Sequence, residues 1–209
     1  MKHILFILTV LFLSSCTSDS VSAELLIVQL HLVNSDASAA SGINVSVSSS
    51  DGSYEDALVH GITDENGNVQ LVFPELEDKE YAVSFLENEV YLEHQITGLQ
   101  HGDFSNYTFS PENYVLYKKA ESVTLQIIPH SISEASILSV WVIGDVIPES
   151  VDWHPEPSIT DDYYFRTRYT VLKNSNVTVH YLIQNLGTIQ ELTVNVSIPD
   201  SDITYNLDY

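Results

Sequence analysis

Apolar and polar positions alternate along most of this chain with a period of two. Leu26, Val28, Leu30 and Leu32 are interleaved with Gln29 and His31, the pattern of a strand that buries one face and wets the other. Ile43, Val45 and Val47 alternate with Asn44, Ser46 and Ser48, and Tyr81, Val83 and Phe85 form a third such row. Further strands are predicted over 90–96, 107–109 and 114–117, and a long one over 163–172. Residues 57–62 and 69–73 predict a hairpin, joined by Thr63-Asp64-Glu65-Asn66-Gly67-Asn68, whose Asn-Gly tolerates positive φ. Helical periodicity is nearly absent; only 75–80 has the makings of one helical turn. The pattern predicts an all-β protein of antiparallel sheets packed as sandwiches.

The pattern then restarts. Val123, Leu125 and Ile127, followed by Leu138, Val140 and Val142, repeat the opening rows at an offset of about 95, and Thr160-Asp161 echoes Thr63-Asp64. Two modules of one topology are therefore expected, 24–119 and 120–209, meeting at Lys118-Lys119-Ala120-Glu121. The second departs from the first in two places. Its stretch 145–159 is long and Pro-rich, with Pro148, Pro155 and Pro157 around Trp153 and His154; loops of that length are more often functional than short ones. Its end, at Tyr209, lacks a counterpart of the 114–117 strand, which predicts an open edge along Ile203–Leu207.

The N-terminus follows a different pattern. Ile4–Leu13 is apolar apart from Thr9, about half of the roughly twenty residues that a spanning helix needs. Its length and its short basic flank are those of a signal peptide. The next residues, Leu13-Ser14-Ser15-Cys16, resemble the bacterial lipobox. The resemblance implies a signal peptide over 1–15, cleavage before Cys16, diacylation of its thiol and acylation of the freed amine. Residues 16–23 then form a lipidated Cys and linker, and membrane association runs through the lipid. Several acyl chains hold a protein firmly where one does not. Thr17, where Asp would signal retention, implies the outer membrane, and Ser18-Asp19 resembles the surface-export tags of Bacteroidetes lipoproteins. Farther on, Gly61–Leu71 followed by Lys79-Glu80-Tyr81-Ala82-Val83 is similar to carboxypeptidase-regulatory-like and transthyretin-like sandwiches, with Lys79-Glu80 where those families carry Gly. That resemblance implies fold and little about function. The expected architecture is tandem β-sandwiches, transthyretin-like or immunoglobulin-like, after a lipoprotein signal peptide.

Charge narrows the partners. Seven Lys and Arg stand against 29 Asp and Glu, a net charge of -22, so no nucleic-acid partner is expected. The single Cys is the one lipidation would consume, which leaves no disulfide in a mature monomer and no thiol nucleophile. The His residues are scattered without metal-ligand spacing, and no nucleophile or phosphate-binding motif occurs. No metal, no cofactor and no catalytic role are expected. Asp64-x-Asn66-Gly67-Asn68 reads as a turn, since the other ligands of a calcium loop are missing. The candidate ligand-binding residues are Trp153, His154, Tyr163 and Tyr164, an aromatic platform beside Asp152, Asp161 and Asp162. Such rings stack on sugars or anchor protein partners; the alternative is that Trp153 folds back to cap the sandwich. Arg166 and Arg168 share one strand face, either paired with the abundant acids or open to an acidic partner. Three functions remain: a non-catalytic envelope lipoprotein binding or scaffolding a protein partner, an accessory carbohydrate-binding lipoprotein, and a structural or pilus-type subunit assembling by edge-strand exchange.

Overall fold

The computed structural model describes residues 24–50, 55–154 and 165–209. Cys16, Tyr163, Tyr164 and Thr160-Asp161 lie outside them. The described chain is all-β, in two successive sandwiches. The first opens with β1 (Leu25–Asn34), whose Leu26, Val28, Leu30 and Leu32 are at most 2% exposed. β1 is central in its sheet. It pairs antiparallel with β4 (Asn68–Pro74) on one side, and in parallel with the short β7 (Thr108–Phe109) and β8 (Tyr114–Leu116) on the other. The facing sheet holds β2 (Asn44–Ser50), β3 (Glu55–Ile62), β5 (Glu80–Phe85) and β6 (His94–Leu99) in the order β6-β5-β2-β3. Val45, Val47, Val83, Phe85, Ile96 and Leu99 close the core from that side. Each Val, Leu or Phe taken out of water contributes about 1.5–3 kcal/mol, which is why the period-two rows govern this architecture.

The predicted hairpin of 57–62 with 69–73 does not form. β3 pairs with β2 and β4 with β1, so the connection crosses from one sheet to the other. The Asn66-Gly67 turn nevertheless forms. Gly67 sits at φ 78°, where a Cβ would meet Leu32 O at 2.3 Å. Asp64 Oδ1 accepts from the N–H groups of Asn68 (2.8 Å) and Asn66 (2.9 Å), and these bonds hold its carboxyl below the usual carboxylate range. A turn chemistry that suits hairpins serves here to join two layers. Residues 75–80 form no helical turn. Asp78 takes positive φ (55°), and the Tyr81 hydroxyl ties the segment down, accepting from Leu76 N and donating to Leu76 O.

A 3-10 turn, Lys119–Glu121, leads into the second sandwich. One sheet has β9 (Ser122–His130) at its centre, between antiparallel β12 (Arg168–Leu172) and parallel β15 (Ile203–Asp208). The other has β13 (Asn176–Asn185) between β10 (Ser136–Gly144) and β14 (Thr188–Ser197). The pairing scheme repeats that of the first sandwich: β9 corresponds to β1, β12 to β4, β13 to β5 and β14 to β6. Val123, Leu125, Ile127, Val140, Val171 and Val179 form a separate core. Three expectations change here. The strand predicted from 163 is described only from Arg168, preceded by a lone bridge from Phe165 to Val140. A bulge between Ile137 and Ser139 breaks the alternation of β10, so that Ser139 is buried in place of Leu138. And β9 does have a counterpart of the parallel strands on β1: β15 runs along β9 from Leu125 to His130, as β7 and β8 run along β1, and its outer side is unpaired among the described residues, so the edge expected along Ile203–Leu207 is open.

Candidate functional site

The stretch 145–154 is a strap that hydrogen-bonds to both sandwiches in turn. Its first residues follow β12: Leu172 N donates to Asp145 O, Ile147 N donates to Thr170 O, and Val146 bridges Val171. Pro148, which has no N–H to place in a ladder, stands where the strap leaves that sheet. Ser150–Asp152 then form β11, parallel to β6, with Ser150 opposite Gln95, Val151 opposite Ile96 and Asp152 opposite Thr97. A strand from the second half of the chain thus covers what would otherwise be the edge of the first sandwich.

Side chains fix the strap at both ends. Where it crosses over, the imidazole of His94 is buried, and its Nδ1 donates to Pro148 O at 2.8 Å. Nδ1 therefore carries the proton, and Nε2 accepts from the Tyr114 hydroxyl. Phe85 stacks on both rings. Burial pushes the His94 imidazole below its usual 6.5, with the Pro148 bond opposing, and burial raises the Tyr114 phenol.

At the far end, Trp153 N donates to Thr97 O at 2.9 Å, and the Trp153 ring meets Phe109 edge-on with centroids 5.0 Å apart. Phe109 packs on Phe104, which packs on Tyr81 and Phe73. Trp153 is therefore the outermost member of the aromatic core of the first sandwich, and it retains 38% of its surface. His154 Nε2 lies 2.9 Å from Asp103 Oδ2, and the backbone N–H of His154 donates to Asp152 Oδ1. Gly98, at φ 74°, lets Asp152 approach; a Cβ there would lie 2.5 Å from that carboxylate oxygen. Of the sequence-predicted aromatic platform, the structure thus seats Trp153 and His154 against the first module, with Trp153 as a cap on a sandwich. It caps the neighbouring sandwich, which pattern reading had no means to specify.

Arg166 is engaged within the chain. Its Nη2 donates to Glu149 Oε1 at 3.0 Å, its Nε donates to Arg168 O, and its guanidinium lies 5.1 Å from the Tyr169 ring centroid. With Phe165 and Thr170 these residues line an open groove of about 510 Å³. Sequence reasoning missed the outer face of the β10-β13-β14 sheet. Trp141 stacks there on His180 (5.2 Å), and His180 Nδ1 lies 2.9 Å from Glu191 Oε1. Cross-strand neighbours on three strands form that row; only the register brings them together. Among the described residues, no group of three or more His, Cys, Asp or Glu side chains is placed to hold a metal ion.

These features define a pair of β-sandwiches joined by a strand-forming strap. No family model matches the chain, and no curated protein matches it. Among solved structures, it is similar to the shaft pilin SpaA from Lactobacillus rhamnosus GG, at 10% identity over 88% of this chain and 98% of that one, with a TM-score of 0.30. It is similar to a streptococcal ancillary pilin at 13% identity, over 87% and 62% of the two chains, with a TM-score of 0.33. A 9R-lipoxygenase from Cyanothece PCC8801 is similar at 18% identity over 44% of this chain, which spans 16% of the lipoxygenase, with a TM-score of 0.35. At these values the likenesses do not carry the assembly or activity of those proteins to this one.

Proposed function

We propose that this protein is a non-catalytic cell-envelope lipoprotein, anchored through Cys16 in the outer membrane, whose two sandwiches form a scaffold for a protein partner. The observation that carries this reading is the strap. β11 completes a sheet of the first sandwich with a strand from the second half of the chain, and Trp153, His94 and His154 fasten it. Backbone pairing of this kind ties the second half of the chain to a sheet of the first sandwich by more than a linker, a connection that supports a scaffold over a flexible tandem. The position of the anchor fits. β1 begins at Leu25, shortly after Cys16, and ends beside the start of the second sandwich, where Ser35 Oγ donates to Glu121 Oε2 at 3.0 Å. Ten extended residues span about 33 Å. A lipid on Cys16 would reach the first sandwich at the start of β1, the end of that strand away from Glu121 and the second sandwich.

The anchor is tested by Cys16→Ala, which is expected to abolish palmitate labelling and to release the protein from the membrane fraction; a variant still acylated and membrane-bound overturns the lipobox reading. The partner is tested by crosslinking in intact cells. Recovery of one protein with the wild-type chain supports scaffolding. Binding to a glycan array that disappears in Trp153→Ala replaces the protein partner with a sugar.

A further inference from the structure

The outer face formed by β1 and β4 changes character along its length. Toward the end of β1 it is polar: Gln29 lies opposite Gln70 and His31 opposite Asn68, all four exposed. At the start of β1 it is apolar. Leu25 lies opposite Pro74 and Ile27 opposite Val72, with Leu25 55% and Val72 43% exposed. Neighbours on adjacent strands make a patch, where single exposed apolar residues would not.

Tyr107 adjoins this row, its carbonyl accepting from Ile27 N at 2.8 Å. Two residues on, Phe109 points inward and is buried, whereas Tyr107 is 44% exposed. It stands at φ 63°, after Asn106 at φ 50°, and a bulky residue at positive φ is an outlier that its surroundings must hold in place. The acids that flank Leu25 and Pro74 in sequence are both engaged. The Tyr107 hydroxyl donates to the Glu24 carboxylate, and Glu75 Oε1 lies 2.7 Å from Nδ1 of His101, whose ring packs edge-on to Tyr107. An apolar ring with a hydrogen-bonded polar tip suits a boundary between lipid and water.

We infer that, given the acylation of Cys16 proposed above, this end of the first sandwich rests on the lipid surface that its own anchor enters, with Leu25, Ile27, Val72 and Tyr107 at the boundary of headgroups and acyl chains. The tether selects the occupant. Glu75 N donates to Glu24 O at 2.7 Å, so the chain is held to the sheet up to Glu24. Eight residue steps separate Glu24 from Cys16, a reach of at most about 29 Å. A lipid on Cys16 therefore keeps these side chains within that distance of a membrane on every copy. Leu186 and Ile189 are exposed as well, at the β13–β14 hairpin, but they belong to the second sandwich and no tether of this length joins them to Cys16. The tether also lowers the strength required. Four partly exposed side chains make a small patch, yet once the anchor is in place their contact is intramolecular and a weak attraction suffices. Charge sets the lipid class: a chain of net charge -22 is repelled by anionic headgroups and accepts zwitterionic ones.

The test uses the full chain as processed in the cell, purified with its lipid and placed in zwitterionic vesicles whose acyl chains carry bromine. Acylation consumes the single native thiol, so Val72→Cys, or Thr193→Cys on an exposed position of the second sandwich as control, takes one fluorescent label. The label at Val72 is expected to be quenched several-fold more strongly than the label at Thr193, because interfacial side chains sit at the headgroup-acyl boundary. Adding Leu25→Glu is expected to bring that quenching down to the control, with an unchanged thermal melt. Quenching at Val72 no stronger than at Thr193, on a chain that takes one label and stays with the vesicles, overturns the inference and leaves the anchor standing; so does Leu25→Glu without effect. A second label, on Cys16, with the chain free in solution overturns both. A Val72 label unquenched in vesicles but shielded from an aqueous quencher in cells makes a protein the occupant, and overturns the inference as well.

Discussion

Gly98→Ala tests whether the strap joins the two sandwiches. Gly98 has φ 74°, and an added Cβ would stand 2.5 Å from Asp152 Oδ1. A residue with a Cβ loses about 1–2 kcal/mol in the left-handed region. The Asp152 carboxylate must also move aside, and with it goes its bond from His154 N at 3.0 Å, worth up to about 1 kcal/mol at a surface position. The expected loss is about 1.5–3 kcal/mol. For a urea dependence of ~2 kcal/mol per molar, this lowers the midpoint by roughly 1 M. Gly102→Ala is the control: nothing lies within 4 Å of its added Cβ, and its φ is not in the left-handed region. Of the two Trp residues, Trp141→Phe leaves Trp153 as sole reporter. In that background Gly98→Ala is expected to shift Trp153 emission to the red before global unfolding, as the ring leaves Phe109. A midpoint equal to that of Gly102→Ala, or a shifted midpoint with unchanged Trp153 emission, refutes the reasoning.

Two further outcomes follow from buried polar groups. The imidazole of His94 holds its proton less tightly when folded than the 6.5 of an ordinary histidine, because burial disfavours the charged ring. The unfolded chain therefore takes up a proton first as pH falls; stability is full above 6.5, drops with a slope of up to about 1.4 kcal/mol per pH unit below it, and levels off beneath the folded value. Urea titrations from pH 7.5 downward should show this slope, and His94→Gln should remove it; a slope unchanged in the variant assigns it to other groups. Ser139 is buried with its hydroxyl unpartnered among the described residues. Ser139→Ala removes that cost and is expected to raise the melting temperature or leave it unchanged; a clear loss of stability would show that the hydroxyl has a partner.

Alternation carried much of the fold into view. Residues of β1, β2, β5 and β9 predicted to face inward do so, because burial of one strand face is a local property that a period of two records directly. Partner choice was less legible. The turn at Asn66-Gly67 formed where expected, yet its flanking strands went to different sheets. A turn fixes the local path of the backbone, whereas the sheet a strand joins depends on which distant strand covers its apolar row. Bulges were invisible for the same reason: the slip between Ile137 and Ser139 is defined only against β13. Of the candidate site, Trp153 and His154 stood out as aromatic and polar groups in a long Pro-rich stretch, while Trp141, His180 and Glu191 did not, being far apart in sequence and adjacent only across three strands.

By itself, the sequence determined an all-β chain, two rounds of the same alternating rows, a strongly acidic composition and a short apolar N-terminal run ahead of the single Cys, because period, charge and short-range spacing are written in neighbouring residues. Only the tertiary structure decided that 145–154 is a strap, that Trp153 completes the aromatic core of the other sandwich, and that Leu25 and Ile27 meet Pro74 and Val72 in an apolar patch at the start of β1. Each of these depends on contacts between residues tens of positions apart, and such contacts are set by how apolar faces and backbone hydrogen bonds are satisfied in three dimensions.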